Sequence, residues 1–67
     1  MTIAAEDITR MKQIAKDSLE KTPQQIYDTE RDFLADMEPK YGVKESIRLL
    51  TKIWELSARM KEQAEQW

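Results

Sequence analysis

The chain has 67 residues, of which 40% are hydrophobic and 36% are charged, and its acidic and basic groups nearly cancel to a net charge of −2. It contains no cysteine and no histidine, which excludes disulfide bonds and removes the nitrogen and sulfur ligands of zinc and most transition metals. The small net charge gives no long-range field favouring nucleic acid or anionic lipid.

The first predicted element is a helix over about residues 2–20, because apolar residues recur there at three- and four-residue spacing. Glu6 and Asp7 lie near its start, where the helix dipole favours negative charge, and Thr2 is positioned to cap it. The stripe predicted to be buried consists of Ala4, Ile8, Met11, Ala15 and Leu19.

The second predicted helix covers about residues 23–38. Thr22, Pro23 and Gln25 form a start signal, because threonine caps a free N–H, proline suits the first turn and glutamine can close a capping box. Pro39 and Gly42 predict its end near Glu38. One long helix kinked at the first proline is the alternative. The apolar residues of this segment are Ile26, Tyr27, Phe33, Leu34 and Met37.

The third predicted helix covers about residues 43–66 and carries two apolar stripes, rotated from one another by roughly 90 to 100 degrees. The first stripe is Val43, Ile47, Leu50 and Trp54. The second is Leu49, Ile53, Leu56, Met60 and Trp67.

These elements predict an all-α fold, a single domain over residues 1–67 arranged as an antiparallel three-helix bundle. In a single chain, the first two helices can cover one broad face of helix three but not easily a second stripe. The second stripe is therefore predicted to contact a second copy or another protein. The alternative is that helix one covers it. Trp67 is either an anchor in such an interface or a solvated terminal side chain.

Helix two carries two acidic features. Glu30 falls within its apolar stripe, where charge is costly unless it is paired; it is either bonded to a tyrosine, lysine or arginine, or a contact for a partner. Asp28, Asp32 and Asp36 align along one exposed ridge, which is either a solvated face, a recognition surface for a basic partner or a weak divalent-ion site.

A basic row on helix three supports an alternative function. It consists of Lys44, Arg48, Lys52 and Arg59, interrupted by acidic residues. The segment Tyr41-Gly42-Val43-Lys44-Glu45-Ser46-Ile47 resembles the turn and early recognition helix of helix-turn-helix repressors. That resemblance implies a dimeric DNA-binding regulator using residues 41–59. The other interpretation of the basic row is a solvated face with ion pairs.

No pattern predicts an enzyme, a cofactor or a metal. Nucleophilic catalysis needs a base for serine or threonine, histidine is absent, and Gly42 is the only glycine, so there is no glycine-rich phosphate loop. No secretion signal or membrane-spanning stretch is evident, which with the lack of cysteine predicts a cytoplasmic protein. The sequence thus predicts a small interaction or regulatory protein, of inhibitor, antitoxin or adaptor type, that binds another protein stoichiometrically as a homodimer.

Overall fold

The computed structural model describes residues 2–65, which form three α-helices that pack against one another. They are α1 (Ala5–Ser18), α2 (Pro23–Tyr41) and α3 (Val43–Glu65). No strand occurs within the described residues, so the prediction of an all-α, three-helix fold is confirmed. In the same range, no helix combines the length and apolar character needed to cross a bilayer.

Helix α1 is shorter than predicted. It begins at Ala5, and Ala4 occupies the N-cap without a capping side-chain hydrogen bond, so Thr2 does not cap it. The buried line of α1 runs through Asp7, Met11 and Ala15, at four-residue spacing. The predicted stripe was therefore partly wrong, because Ile8 and Leu19 lie beside this line and remain 40% and 44% exposed.

Helix α2 begins at Pro23, as the start signal predicts. The backbone N–H of Gln25 donates to Thr22 Oγ1 at 3.2 Å, and the Thr22 N–H donates to Gln25 Oε1 at 3.0 Å. Both bonds of the capping box are formed, which satisfies two donors at the helix start.

Helix α2 ends later than predicted, because it continues through Pro39 to Tyr41. Proline lacks an N–H, so it removes one hydrogen bond to the carbonyl four residues earlier. The extension brings Lys40 and Tyr41 to the Asp7 carboxylate of α1. Gly42 then ends the helix at a φ of 87°, while its N–H donates to the Glu38 carbonyl at 2.9 Å. Positive φ is the region that glycine occupies without steric cost.

Helix α3 packs along both α1 and α2. It begins at Val43 as predicted, and the fully buried Ser46 donates its hydroxyl to the Val43 carbonyl at 2.7 Å. The hydrophobic core draws on all three helices. Its buried members are Met11, Ala15, Phe33, Met37, Leu49, Leu50 and Ile53.

Polar contacts fix how the helices lie beside one another. Asp7 of α1 meets Tyr41 at the end of α2, whereas Ser18 at the end of α1 shares a hydrogen bond with Ser57 of α3 at 2.9 Å. The start of α1 therefore lies beside the end of α2.

Candidate protein-interaction surface

Helix α3 exposes a row of large apolar side chains along its first half. Val43, Ile47 and Trp54 are 58%, 54% and 53% exposed. Their spacing of four and seven residues places them on one side of the helix. Large side chains that leave this much apolar surface in water, grouped on one helix side, are typical of an interaction site.

Helix α2 continues this surface. Tyr27 is 61% exposed, and Leu34 is half-buried beside the core. An open groove of about 380 Å³ runs between α2 and α3, with Leu50 of α3 on its floor. It is lined by Tyr27, Glu30, Arg31, Leu34, Ala35, Glu38 and Leu50. We call the groove together with Val43, Ile47 and Trp54 the open face.

The open face is uncovered because α1 packs on a different side of α2. The Arg10 guanidinium of α1 lies 5.6 Å from the ring centre of the buried Phe33, and Arg10 also forms an ion pair with Asp36 at 2.8 Å. Leu34 follows Phe33 by one residue, which rotates it by about 100 degrees around the helix. Leu34 therefore lies on the side of α2 where the groove opens.

Glu30 links α2 to the exposed apolar row of α3. Its Oε1 accepts a hydrogen bond of 2.7 Å from the Trp54 Nε1. The sequence pointed to a tyrosine, lysine or arginine as the internal partner, but the indole fills that role. Because a carboxylate gains strongly from a direct N–H donor, this bond holds Trp54 against α2 and fixes one edge of the exposed apolar row.

The residues predicted for self-association lie mostly inward. Leu49 and Ile53 are 5% and 2% exposed, and Leu56 and Met60 are half-buried against the core. In the single chain, Leu49 and Ile53 are thus core residues and lie off the surface. Trp67 lies outside the described residues. Self-association itself remains a prediction.

The acidic ridge is largely paired within the chain. Asp28 and Asp32 lie 3.5 Å and 3.6 Å from the Arg31 guanidinium, and Asp36 pairs with Arg10. Within residues 2–65, no group of three or more potential ligands could hold a metal ion. The arrangement is that of a solvated face with local ion pairs, each of small energetic value.

The basic row on α3 is also interrupted by acidic partners. Arg48 lies 3.8 Å from Glu45, and Lys52 lies 3.6 Å from Glu55. Lys44 and Arg59 are exposed. Gly42 alone separates α2 from α3, whereas a helix-turn-helix motif joins its helices by three or four residues. The local likeness to repressors therefore does not extend to the turn length.

Asp7 forms a buried polar cluster that sequence reasoning missed. It accepts a 2.5 Å hydrogen bond from the Tyr41 hydroxyl and one of 3.3 Å from Lys40. The Tyr41 bond lowers the pKa of Asp7 from its ordinary value; burial opposes this, and the charges of Lys40 and Arg10 add to the lowering. The sequence signal for the burial of Asp7 was its position four residues before Met11, which places both residues on the same side of α1.

A cavity of about 210 Å³ lies between all three helices. Its apolar walls include Ile14, Ile26 and Ile53, and the hydrogen-bonded hydroxyls of Ser18 and Ser57 lie at one side. The lining residues are Ile14, Ser18, Lys21, Ile26, Thr29, Glu30, Ile53, Trp54 and Ser57. Its volume is below the roughly 300 Å³ at which small-molecule sites usually begin.

Comparison with models of protein families, with curated proteins and with solved structures found no match for this chain.

Proposed function

We propose that this protein acts without catalysis, by binding another protein stoichiometrically through the open face, as an inhibitor, antitoxin or adaptor would. The proposal includes a homodimer that uses the exposed residues of α3. The observation that carries it is the uncovered apolar row of Val43, Ile47 and Trp54 beside the α2–α3 groove.

The composition of the open face suits protein recognition. Trp54 and Tyr27 are of the residue types most enriched among interface hot spots, and Arg31 and Glu38 border the groove. An apolar centre with charged residues at its edge is the usual anatomy of a protein interface. A groove between two helices also has the shape that receives a partner's helix.

An antiparallel, up-down-up order of the helices belongs to the same proposal. It is supported by the pairing of Asp7 with Tyr41 and of Arg10 with Asp36, since the later residue of α1 meets the earlier residue of α2. This order leaves α2 and α3 side by side, so that they present one face together.

A non-catalytic role is supported by residue types. The whole sequence lacks histidine and cysteine, so a serine or threonine nucleophile would have no histidine base. Asp7, the carboxylate with a clearly lowered pKa, is bonded to Tyr41 and Lys40 in a structural role.

The experiment compares two single substitutions of exposed isoleucines. Ile47→Glu places a charge in the open face, whereas Ile8→Glu places the same charge on α1, away from that face. Because neither side chain belongs to the core, both variants are expected to keep the helicity of the wild type. Sedimentation equilibrium then measures self-association, and affinity capture from the native host followed by mass spectrometry measures partner binding.

We expect Ile47→Glu to lose both the self-association and any stoichiometric partner, and Ile8→Glu to retain them. Equal behaviour of the two variants would contradict the assignment of binding to the open face. Salt-dependent binding of duplex DNA that Arg48→Ala removes, with Ile47→Glu unaffected, would instead establish the nucleic-acid alternative.

A further inference from the structure

The α2 side of the open face has a symmetrical arrangement of residues. Leu34 and Ala35 are adjacent at its centre, and Arg31 and Glu38 lie three residues to either side of this pair. Both charged side chains line the same groove. If a second α2 ran in the opposite direction with its own Leu34 and Ala35 at the same level, each Arg31 would meet the other copy's Glu38.

The α3 side has the same property. The midpoint between Arg48 and Leu49 is flanked equally by Ile47 and Leu50, and further out by Val43 and Trp54. An antiparallel second α3 centred there would bring Ile47 against Leu50 and Val43 against Trp54. Every one of these contacts joins apolar side chains of the open face to one another.

The two midpoints lie at nearly the same height in the molecule. Glu30 bonds Trp54, and Gly42 alone joins the end of α2 at Tyr41 to the start of α3 at Val43, so each step back along α2 corresponds to one step forward along α3. The α2 midpoint is therefore level with the Leu49–Leu50 region, about 1.5 Å along the axis from the α3 midpoint. One two-fold axis can serve both helices.

From this coincidence we infer that the open face binds a second copy of the chain about a two-fold axis that lies in the face and crosses α2 and α3 at right angles. Each α2 then packs antiparallel on the other copy's α2, and each α3 on the other α3. Two equivalent ion pairs join Arg31 to Glu38 of the second copy. This inference rests on the proposed function. Because the second copy covers the same face, a partner protein binds there only by displacing that copy.

Charge complementarity is the argument for a second copy over an unrelated helix. A two-fold interface needs a surface that complements itself, and Arg31 and Glu38 satisfy that need at equal distances from the centre. The present partners of Arg31, Asp28 and Asp32, lie at 3.5 Å and 3.6 Å on an exposed surface. Such contacts are weak enough to be exchanged for a pair across an interface.

The test reverses the charge of Arg31 in one variant and the charge of Glu38 in another. Arg31→Glu and Glu38→Arg each place like charges opposite one another in their own homodimers, so each alone is expected to dimerise about tenfold or more weakly than the wild type. An equimolar mixture of the two variants is expected to recover dimers, because the mixed dimer contains opposite charges at both positions. Sedimentation equilibrium at low ionic strength measures all three samples.

Arg59→Glu and Glu62→Arg are the matched controls, since they reverse exposed charges on α3 outside the open face. Both are expected to dimerise like the wild type, and circular dichroism checks that every variant keeps its helicity. A mixture that dimerises as weakly as its separate components overturns the inferred symmetry, and so does a monomeric wild type. If in that case Ile47→Glu still removes a bound partner that Ile8→Glu retains, the proposed function stands without the second copy.

Discussion

Asp7 shows how a single buried charge is stabilised. Its side chain is 6% exposed, yet it accepts hydrogen bonds from Tyr41 and Lys40 and lies in a salt bridge with Lys40. A buried carboxylate without such donors would lose more hydration than it could recover. The cluster joins the first turn of α1 to the last turn of α2, so it stabilises the place where two helix ends meet.

The lowered pKa of Asp7 leads to a pH-dependent prediction. The folded state holds the pKa of Asp7 below its ordinary value of 3.8. The contribution of this carboxylate to stability is therefore present above pH 3.8 and is lost as the pH falls through the folded-state pKa. Asp7→Asn is therefore expected to lower the Tm at pH 7 and to make little difference near the acid limit. Thermal unfolding followed by circular dichroism across the acid range measures this.

Glu6→Gln is the control for this prediction, since it removes the neighbouring carboxylate from an exposed position. Its effect on Tm is expected to be small at every pH. A gap between wild type and Asp7→Asn that widened on acidification would contradict the direction of the pKa shift.

At the scale of elements, the end of α2 is set by two residues with opposite effects. Pro39 lies inside the helix and removes a backbone hydrogen bond, whereas Gly42 stops the helix at positive φ. The sequence suggested that proline would end the helix first. The contacts of Lys40 and Tyr41 with Asp7 outweigh the lost bond, so the helix extends to the glycine.

Substitution of these two residues should change stability in opposite directions. Pro39→Ala restores an N–H within a helix and is expected to stabilise the protein by about 1 to 2 kcal/mol, which is less than the full proline cost because the unfolded chain also gains freedom. Gly42→Ala forces a side chain into positive φ, although no atom beyond the two neighbouring residues lies within 4 Å of the added Cβ, and it is expected to destabilise the protein by about 1 to 2 kcal/mol. Urea denaturation measures both. Destabilisation by Pro39→Ala would contradict this account.

At the scale of the whole molecule, α3 supplies three of the seven buried hydrophobic residues in the part of the chain that the structure describes, and it contacts both other helices. A chain of this size has little stability to lose, of the order of 3 to 5 kcal/mol. The fold therefore depends on a few side chains in the middle of α3, while the exposed row of Val43, Ile47 and Trp54 on the same helix contributes little to folding.

Two truncations to alanine on α3 separate folding from association. Ile53→Ala opens a cavity in the core and is expected to cost about 2 to 4 kcal/mol, enough to leave a substantial unfolded fraction. Ile47→Ala alters an exposed residue and is expected to change the stability of the monomer by less than about 0.5 kcal/mol. It is also expected to weaken the proposed dimer. Denaturation over a series of protein concentrations distinguishes the two effects, because only association makes the midpoint depend on concentration. Equal losses at both positions would show that Ile47 is a core residue.

The sequence by itself determined the number of helices, the capped start of α2 at Thr22 and the start of α3 at Val43, because those features depend on local backbone chemistry and helical period. It also revealed two apolar stripes on α3. Only the tertiary structure decided which stripe is buried. Side chains such as Leu49 and Ile47 have the same hydrophobic character, and their burial depends on the side of α3 against which α1 packs. The cluster of Asp7 with Tyr41 was invisible for the same reason, since it joins residues far apart in the chain that approach only when α1 and α2 lie side by side.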